Sequence, residues 1–580
     1  MLPNQVCVNL RHLREIFFIV KRNVKQNSIF RLALGTAILI LLNVIASFVF
    51  TRFDLTSEKR FTLSKPTKEM LKKLNDVVYV KVYLEGEFPS GFKRLRNSTK
   101  EMLDEFRVYA GDYIQYEFID PSASKDAQER NKFYQQIASL GLQPTNLEVK
   151  ENGGTSQQII FPGAVFYYRN MPFAVQLLKD QIGTAPEEML NNSIQTLEYE
   201  LGNTIRKATQ SIKPVVLFLT GHGESEQIKI LDIAHTLGEN YDVDTVSIRG
   251  QLKSLDNCKL LIVANPIQPF DEKDKFIIDR FVMRGGKILW LIDMMDATMD
   301  SLSGSNITLS LARDLNLEDM FFKYGFRVNP NLILDLQSAP IPIVTSIVGN
   351  QPQQRLIPWY YFPLIFPLSG HPIVRNLNAI RCEFVNSIDT VETDGIIKTI
   401  LLSTSRLSRI VFSPARVSIS ILEQEPDKKQ FNKEAQPIAV LLEGNFSSLY
   451  ANRIPADIAS APEIKFKEKS VPTKMIVIAD GDMIENKIRK SAGGIYPLGY
   501  DKFTNEVYGN KSFLLNCIDY MLDENGLIAA RTKLVKLRLL DKTKLKENKE
   551  AIGYTNAVLP LLLVMLLGGV KYYLRKRKYR

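Results

Sequence analysis

The sequence predicts an α/β protein of two domains set between two membrane-spanning helices. Three observations carry this reading. Residues 32–50 and 551–570 are uncharged runs of nineteen and twenty residues. At about 1.5 Å per residue, each would cross a hydrocarbon layer about 30 Å thick. Between them, segments of strand length alternate with segments whose apolar positions recur at helical spacing. From residue 214 onward several strands are apolar on both faces, the pattern of a parallel sheet covered by helices on each side.

Charge supports the membrane assignment. The formal net charge is +11, from 74 Lys/Arg and 63 Asp/Glu. Residues 1–31 hold six bases and one acid, Glu15, and residues 571–580 hold six bases and no acid. Subtracting 12 bases and 1 acid leaves 62 of each sign in residues 51–550, so the body is neutral. This disfavours nucleic-acid binding and places the excess base where cytoplasmic flanks keep it. Residues 1–31 then form a basic leader, 32–50 and 551–570 the spans, and 571–580 a basic tail, with both termini cytoplasmic. The connector 531–550 is also basic, with eight Lys/Arg in residues 531–549. Phe48-Val49-Phe50 offers no small-residue cleavage site. The four cysteines (Cys7, Cys258, Cys382 and Cys517) have no C-x-x-C spacing, and the three in the body read as small buried hydrophobes.

The first domain, residues 51–210, begins with a strand in VVYVKVYL from residue 77 and a helix over about 92–110. A second strand follows in YIQYEFI, then a helix near 125–139, strands in QQIIF, AVFYYR and PFAVQLL, and a closing helix from about 186 to 208. This β-α-β-α-β-β-α order predicts a thioredoxin-like domain. The loop Glu85–Gly91 lacks the thiol that redox chemistry would need.

The doubly wound domain is expected over 211–336 and 471–530. Its strands are VVLFL, YDVDTVSI, KLLIVA, KILWLI and KMIVIA, interrupted by a β-rich insertion at 337–470. Ligands in such sheets bind beyond the carboxyl ends of the strands. That edge gathers His222, Glu224, Asn265, Asp293, Asp296, Asp480 and Asp482 as candidate ligand-binding residues. Carboxylates with one histidine suit a cation, an envelope sugar or peptide, or acid-base work. The same residue types also cap helices and form turns. The only Gly-Lys pair, Gly286-Lys287, lacks a P-loop context, and no G-x-S-x-G follows a strand. No metal, cofactor or catalytic residue is expected, and a binding or coupling role is favoured over an enzyme. An envelope-processing hydrolase or transferase and an envelope scaffold are the alternatives.

The stretches FDLTSEKRFTLSKPTKEML, LEYELGNTIRKATQ with VLFLTGHGE, RGGKILWLID, LEDMFFKYGFRVNPNLILDLQSAPIPI, RLIPWYYFPL and VIADGDMIENK resemble the GldG family. These are auxiliary, so-called substrate-binding subunits of gliding-motility-associated ABC transporters of Bacteroidetes. The resemblance implies a separate permease and ATPase as partners, an inner-membrane location and a periplasmic body. It also implies a domain from 214 onward similar to one in an intraflagellar transport protein, itself related to amidotransferase-like folds. The Cys-His-Glu chemistry of the amidotransferases has no counterpart motif here.

Two regions are candidate partner contacts. Trp359 and Tyr360 lie in an aromatic stretch between prolines, suited to exposed anchors or to core packing. In the second span, Asn556 and Pro560 are features that a lipid anchor does not require. Ser64 before Lys65-Pro66 reads as a helix N-cap.

Overall fold

The computed structural model describes residues 30–41, 43–44, 62–151, 154–179, 181–210, 212–302, 305–348, 351–367, 369–455, 461–489, 493–523, 526–532 and 548–578. They belong to two units, residues 1–62 and 63–580. In the first unit, Phe30–Leu41 is a short apolar helix, α1. Residue 42 and residues 45–50 of the predicted first span lie outside the described residues, as does most of the leader. One helix among the described residues is long and apolar enough to cross a membrane, α10 (Lys549–Lys578).

The second unit is mixed α/β and contains several sheets. It opens with α2 (Lys65–Lys72), whose N-cap is Ser64: the Ser64 hydroxyl accepts from the Thr67 amide at 3.3 Å. A four-stranded sheet follows, built from β1 (Val78–Val82), β2 (Ile114–Phe118), β5 (Gly163–Tyr168) and β6 (Met171–Gln176), in the order β2-β1-β5-β6. β1 and β2 are parallel, while β5 runs antiparallel to β1 and to β6. The segment containing QQIIF does not join this sheet; β3 (Thr145–Glu151) and β4 (Gly154–Ile160) form a separate hairpin. Helices α3 (Ser90–Ala110) and α5 (Pro186–Thr209) bury Leu95, Leu103, Phe106, Leu197, Leu201 and Ile205 in one core with Val78, Val80 and Val82. Helix α4 (Ala127–Ser139) packs Ile137 into a smaller cluster with Tyr83 and Val165.

The larger sheet has seven strands. Its parallel part comprises β7 (Val215–Thr220), β8 (Asp242–Ser247), β9 (Leu260–Ala264), β10 (Lys287–Leu291) and the strand Thr473–Ile478. Ranked by chain order, these lie 2-1-3-4-5 across the sheet. Two strands of the β-rich stretch at 337–470 join this sheet. Ile396–Ser403 and Pro437–Gly444 extend it, antiparallel, beyond Thr473–Ile478.

Alternation along the central strands sorts side chains into two cores. Leu289, Leu291, Ile476 and Ile478 face α6 (Leu231–Gly238) and α9 (Asn510–Leu522). Ile288, Trp290, Met475 and Val477 face α7 (Glu272–Met283) and α8 (Glu318–Tyr324). Apolar residues on both faces are what a strand buried on both sides requires.

The two sheets are joined by a buried ionic node. Asp519 on α9 accepts from Tyr241 Oη and from Asn203 Nδ2, the latter at 3.2 Å, and pairs with Lys207 Nζ at 3.2 Å. Arg206 of α5 stands 3.8 Å away. Burial alone would raise the Asp519 carboxyl, but Lys207 and Arg206 hold it below the usual range. Removing one partner of a buried pair strands the others in a poorly solvated place. Asp519→Ala should therefore cost about 3 kcal/mol in denaturant unfolding at neutral pH. A carboxyl with a depressed native pKa stabilises fully above its unfolded value, about 3.9, and loses that contribution as pH falls through the native value. The gap between wild type and variant should thus narrow below about pH 4; a gap independent of pH would contradict the ionic origin.

Candidate functional site

β7 ends at Thr220 and runs into Gly221-His222-Gly223-Glu224 beside the carboxyl end of β9. Gly223 has φ +73°, and a Cβ there would lie 2.4 Å from Ile267 Cγ1, so the turn requires glycine. This tight turn carries His222 into the interior. Its Nδ1 lies 3.3 Å from Glu224 Oε1 and its Nε2 3.1 Å from Asp274 Oδ2. The ring stacks on Phe270, with centroids 3.8 Å apart. Asp274 is fixed in turn at the start of α7, where its amide donates to the N-cap Asp271 at 2.8 Å. Both imidazole nitrogens are engaged by carboxylates and one face is covered. His222 is a packed, oriented group with no hydroxyl or thiol nucleophile among its contacts.

Four of the remaining candidates converge where β9, β10 and Thr473–Ile478 end. Asn265, in the left-handed region at φ 51°, donates to Asp482 Oδ1 at 3.1 Å. It also accepts from Arg313 Nη1 at 2.8 Å. Asp293 accepts from the Gly481 amide at 2.8 Å. A Cβ on Gly481 would stand 2.6 Å from Asn265 Cγ, so this crossing too needs glycine. Asp480, fully buried, accepts from the Glu383 amide at 3.0 Å, while its Oδ1 has no hydrogen-bond partner among the described residues. Asp296 is separate: it is exposed and accepts from the Leu311 amide.

The electrostatics follow from this crowding. Burial pushes Asp293 up to about 6, against a nearby Arg313 that lowers it. Asp480 and Asp482 are raised well above the ordinary range, by burial first and then by Asp293; Asp482 adds to the shift of Asp480, and Glu383 and Glu485 to that of Asp482. Desolvation of the half-buried Glu383 would raise it, but Lys487, 2.9 Å from its Oε1, and Arg381, 3.4 Å away, hold its carboxyl low. Crowding and burial thus favour the protonated form of Asp293, Asp480 and Asp482 more than solvent would. The cavity beside Asp480 and Asp482 is about 30 Å³, the volume of one water rather than of a sugar ring. Among the described residues no group of three His, Cys, Asp or Glu side chains is placed to hold a metal ion.

Sequence reasoning grouped the strand-end residues but missed Asp274, Arg313, Glu383 and Lys487, which complete both nodes. Asp274 resembles an ordinary first-turn acid of a helix, and Arg313 lies 48 residues from the Asn265 it contacts. The aromatic pair is corrected. Trp359 is fully buried and Tyr360 nearly so, in a core with Leu332, Leu334, Tyr361, Phe362 and Phe384. Neither side chain is an exposed anchor, because this strand packs its aromatics on both sides. Asn556 and Pro560 lie on α10 with exposed side chains.

A carboxyl raised in the native state binds protons that the unfolded chain has already lost. Stability therefore falls as pH rises from the unfolded value, about 3.9, through the native one. Asp293→Asn keeps an acceptor for the Gly481 amide and removes this titration. Relative to wild type, the variant should gain about 3 kcal/mol between pH 4 and pH 7 in denaturant unfolding. An unchanged difference across that range would show that Asp293 is ionised throughout.

Comparison with known proteins adds the following. Residues 213–517 match the family described as ABC-type uncharacterized transport system, and residues 57–167 match a domain of unknown function. An uncharacterized protein of Borreliella burgdorferi is 21% identical over 437 residues, 74% of this chain and 80% of that protein. Among solved structures, the mmIFT52 N-terminal domain aligns at a TM-score of 0.30 and 14% identity, over 53% of this chain and 96% of that one. An exo-beta-1,4-mannosidase from Opitutaceae bacterium strain TAV5 aligns at 0.18 and 10% identity, over 76% and 50%. Shape agreement at this level carries no argument about either fold or activity. The sequence match spans more than half of the chain and covers every residue of both nodes, so the chain belongs to the ABC-type uncharacterized transport system family.

Proposed function

We propose that this chain is a non-enzymatic, doubly membrane-anchored subunit of an ABC transporter that works with a separate permease and ATPase. In this reading its body, residues 51–550, lies on the periplasmic side of the inner membrane and both termini are cytoplasmic. The resemblance to gliding-motility subunits extends the reading to that machinery. The first domain is thioredoxin-like in its strand order, and the second is doubly wound in the 2-1-3-4-5 order of flavodoxin. In that order the ligand crevice falls between the first and third strands, here β7 and β9. One observation carries the non-enzymatic reading: this edge is filled by the chain's own side chains, with Arg313 lodged against Asn265 and the Asp293 carbonyl.

Helix α10 supplies the anchor and, in this proposal, a recognition surface. Pro560 lacks the amide that would bond the Asn556 carbonyl four residues earlier. One turn of α10 thus presents a carbonyl freed from its helical bond together with a carboxamide. Both are costly in lipid and readily satisfied by a neighbouring helix. The tagged full chain, extracted in mild detergent, should retain a multi-span permease and an ATPase. Replacing residues 551–570 with polyleucine should preserve insertion but reduce permease recovery several-fold. Recovery of neither protein with the native chain would contradict the subunit reading. Undiminished recovery with polyleucine would confine recognition to the body or the first span.

A further inference from the structure

A cleft of about 670 Å³ opens at the amino ends of the parallel strands, the edge opposite to Asp293 and Asp480. One wall is α2 and the end of α5, which bring Met70, Lys73 and Arg206. The other is the start of β7, β9 and β10, which brings Lys213, Lys259 and Lys287. Five cations face two carboxylates, Glu69 and Asp523, a formal excess of three positive charges. Three of the cations are already engaged: Arg206 donates to Asn203 Oδ1 at 2.8 Å, Lys213 to the Gly238 carbonyl at 2.9 Å, and Lys287 has a partner of its own. Lys73 and Lys259 are exposed, and among the described residues neither makes an ion pair.

The cleft is amphipathic as well as basic. Ile212 on its rim is 83% exposed, and Met70, Leu74 and Leu522 contribute to the lining. Its walls also adjoin both apolar ends of the chain in sequence. α2 starts just after the unit that carries α1, and α9 ends at Leu522, before the stretch that leads to α10. We propose that this cleft binds a phosphate-bearing anion through Lys73 and Lys259, the rim of Ile212 favouring the headgroup of an anionic lipid over a free phosphate. The lipid source rests on the membrane reading above; the phosphate site itself does not. Lysine ammonium groups recognise phosphate as compact point charges, and juxtamembrane bases are attracted to anionic headgroups.

The test uses the full chain in dodecyl maltoside, observed by native mass spectrometry with phosphatidylglycerol, with phosphatidylcholine, or with inorganic pyrophosphate. Phosphatidylglycerol should be retained by the native chain and bound at least tenfold more weakly by the double variant Lys73→Glu/Lys259→Glu. Lys73→Gln/Lys259→Gln should show an intermediate loss and guards against a folding defect. A control pair of exposed lysines elsewhere, Lys125→Glu/Lys429→Glu, should bind as the native chain does, and phosphatidylcholine should show no dependence on any of these changes. Pyrophosphate binding that needs Lys73 and Lys259, without lipid retention, would uphold the phosphate site and assign it a soluble ligand. Binding of neither anion, or a loss shared equally by the control pair, would overturn the proposal.

Discussion

The bond from the Gly481 amide to Asp293 fixes the way the large sheet closes. Thr473–Ile478 enters the sheet after an excursion of nearly 200 residues and must align beside β10 with its carboxyl end buried. A buried amide at such a point costs free energy unless an acceptor is waiting. Asp293, at the end of the neighbouring strand, provides it. Gly481 leaves the room that lets Asn265 approach, and Asn265 then holds Asp482 and Arg313. The insertion is tied to the same place through the Glu383 amide and Asp480. Several chain segments far apart in sequence thus meet on one set of mutually dependent hydrogen bonds.

That dependence bears on function. A sheet of this topology ordinarily leaves its carboxyl edge open to a ligand. Here the edge is occupied by internal partners, burial raises its aspartates above the ordinary carboxylate range, and His222 is clamped on both nitrogens. Asp519 ties the other end of the domain to α5 of the first sheet. These polar groups join elements that are far apart in sequence, an arrangement in keeping with the proposed accessory role in a transport system.

The strands most legible in the sequence were those buried on both faces. VVLFL, KLLIVA, KILWLI and KMIVIA are predominantly apolar runs ending in a turn or an acid, and each coincides with a strand of the parallel part to within a residue. Helix positions 186–208 and 510–523 were also close to the observed α5 and α9. Pairing was less accessible. IIKTILLS and PIAVLLE read as strands, but nothing local says that they extend the sheet begun at Val215. Trp359 and Tyr360 show why composition misleads: aromatics between prolines look like an exposed platform until a surrounding core of aliphatic residues is known. Glycine-bounded GHGE marked the turn at His222, yet its partners Asp274 and Phe270 come from a separate segment. The lone Asp519 in the otherwise apolar LLNCIDYML was a signal that sequence reasoning did not use.

Amide hydrogen exchange on the full-length chain tests most directly whether the carboxyl edge is closed by its own residues. Peptides spanning residues 220–226, 264–268 and 479–486 should exchange as slowly as the strand β10, because opening them requires breaking the shared hydrogen-bond network. Protection should not increase when envelope sugars or peptides are added. Fast exchange in these peptides while β10 stays protected would contradict a closed edge and restore it as an open ligand crevice.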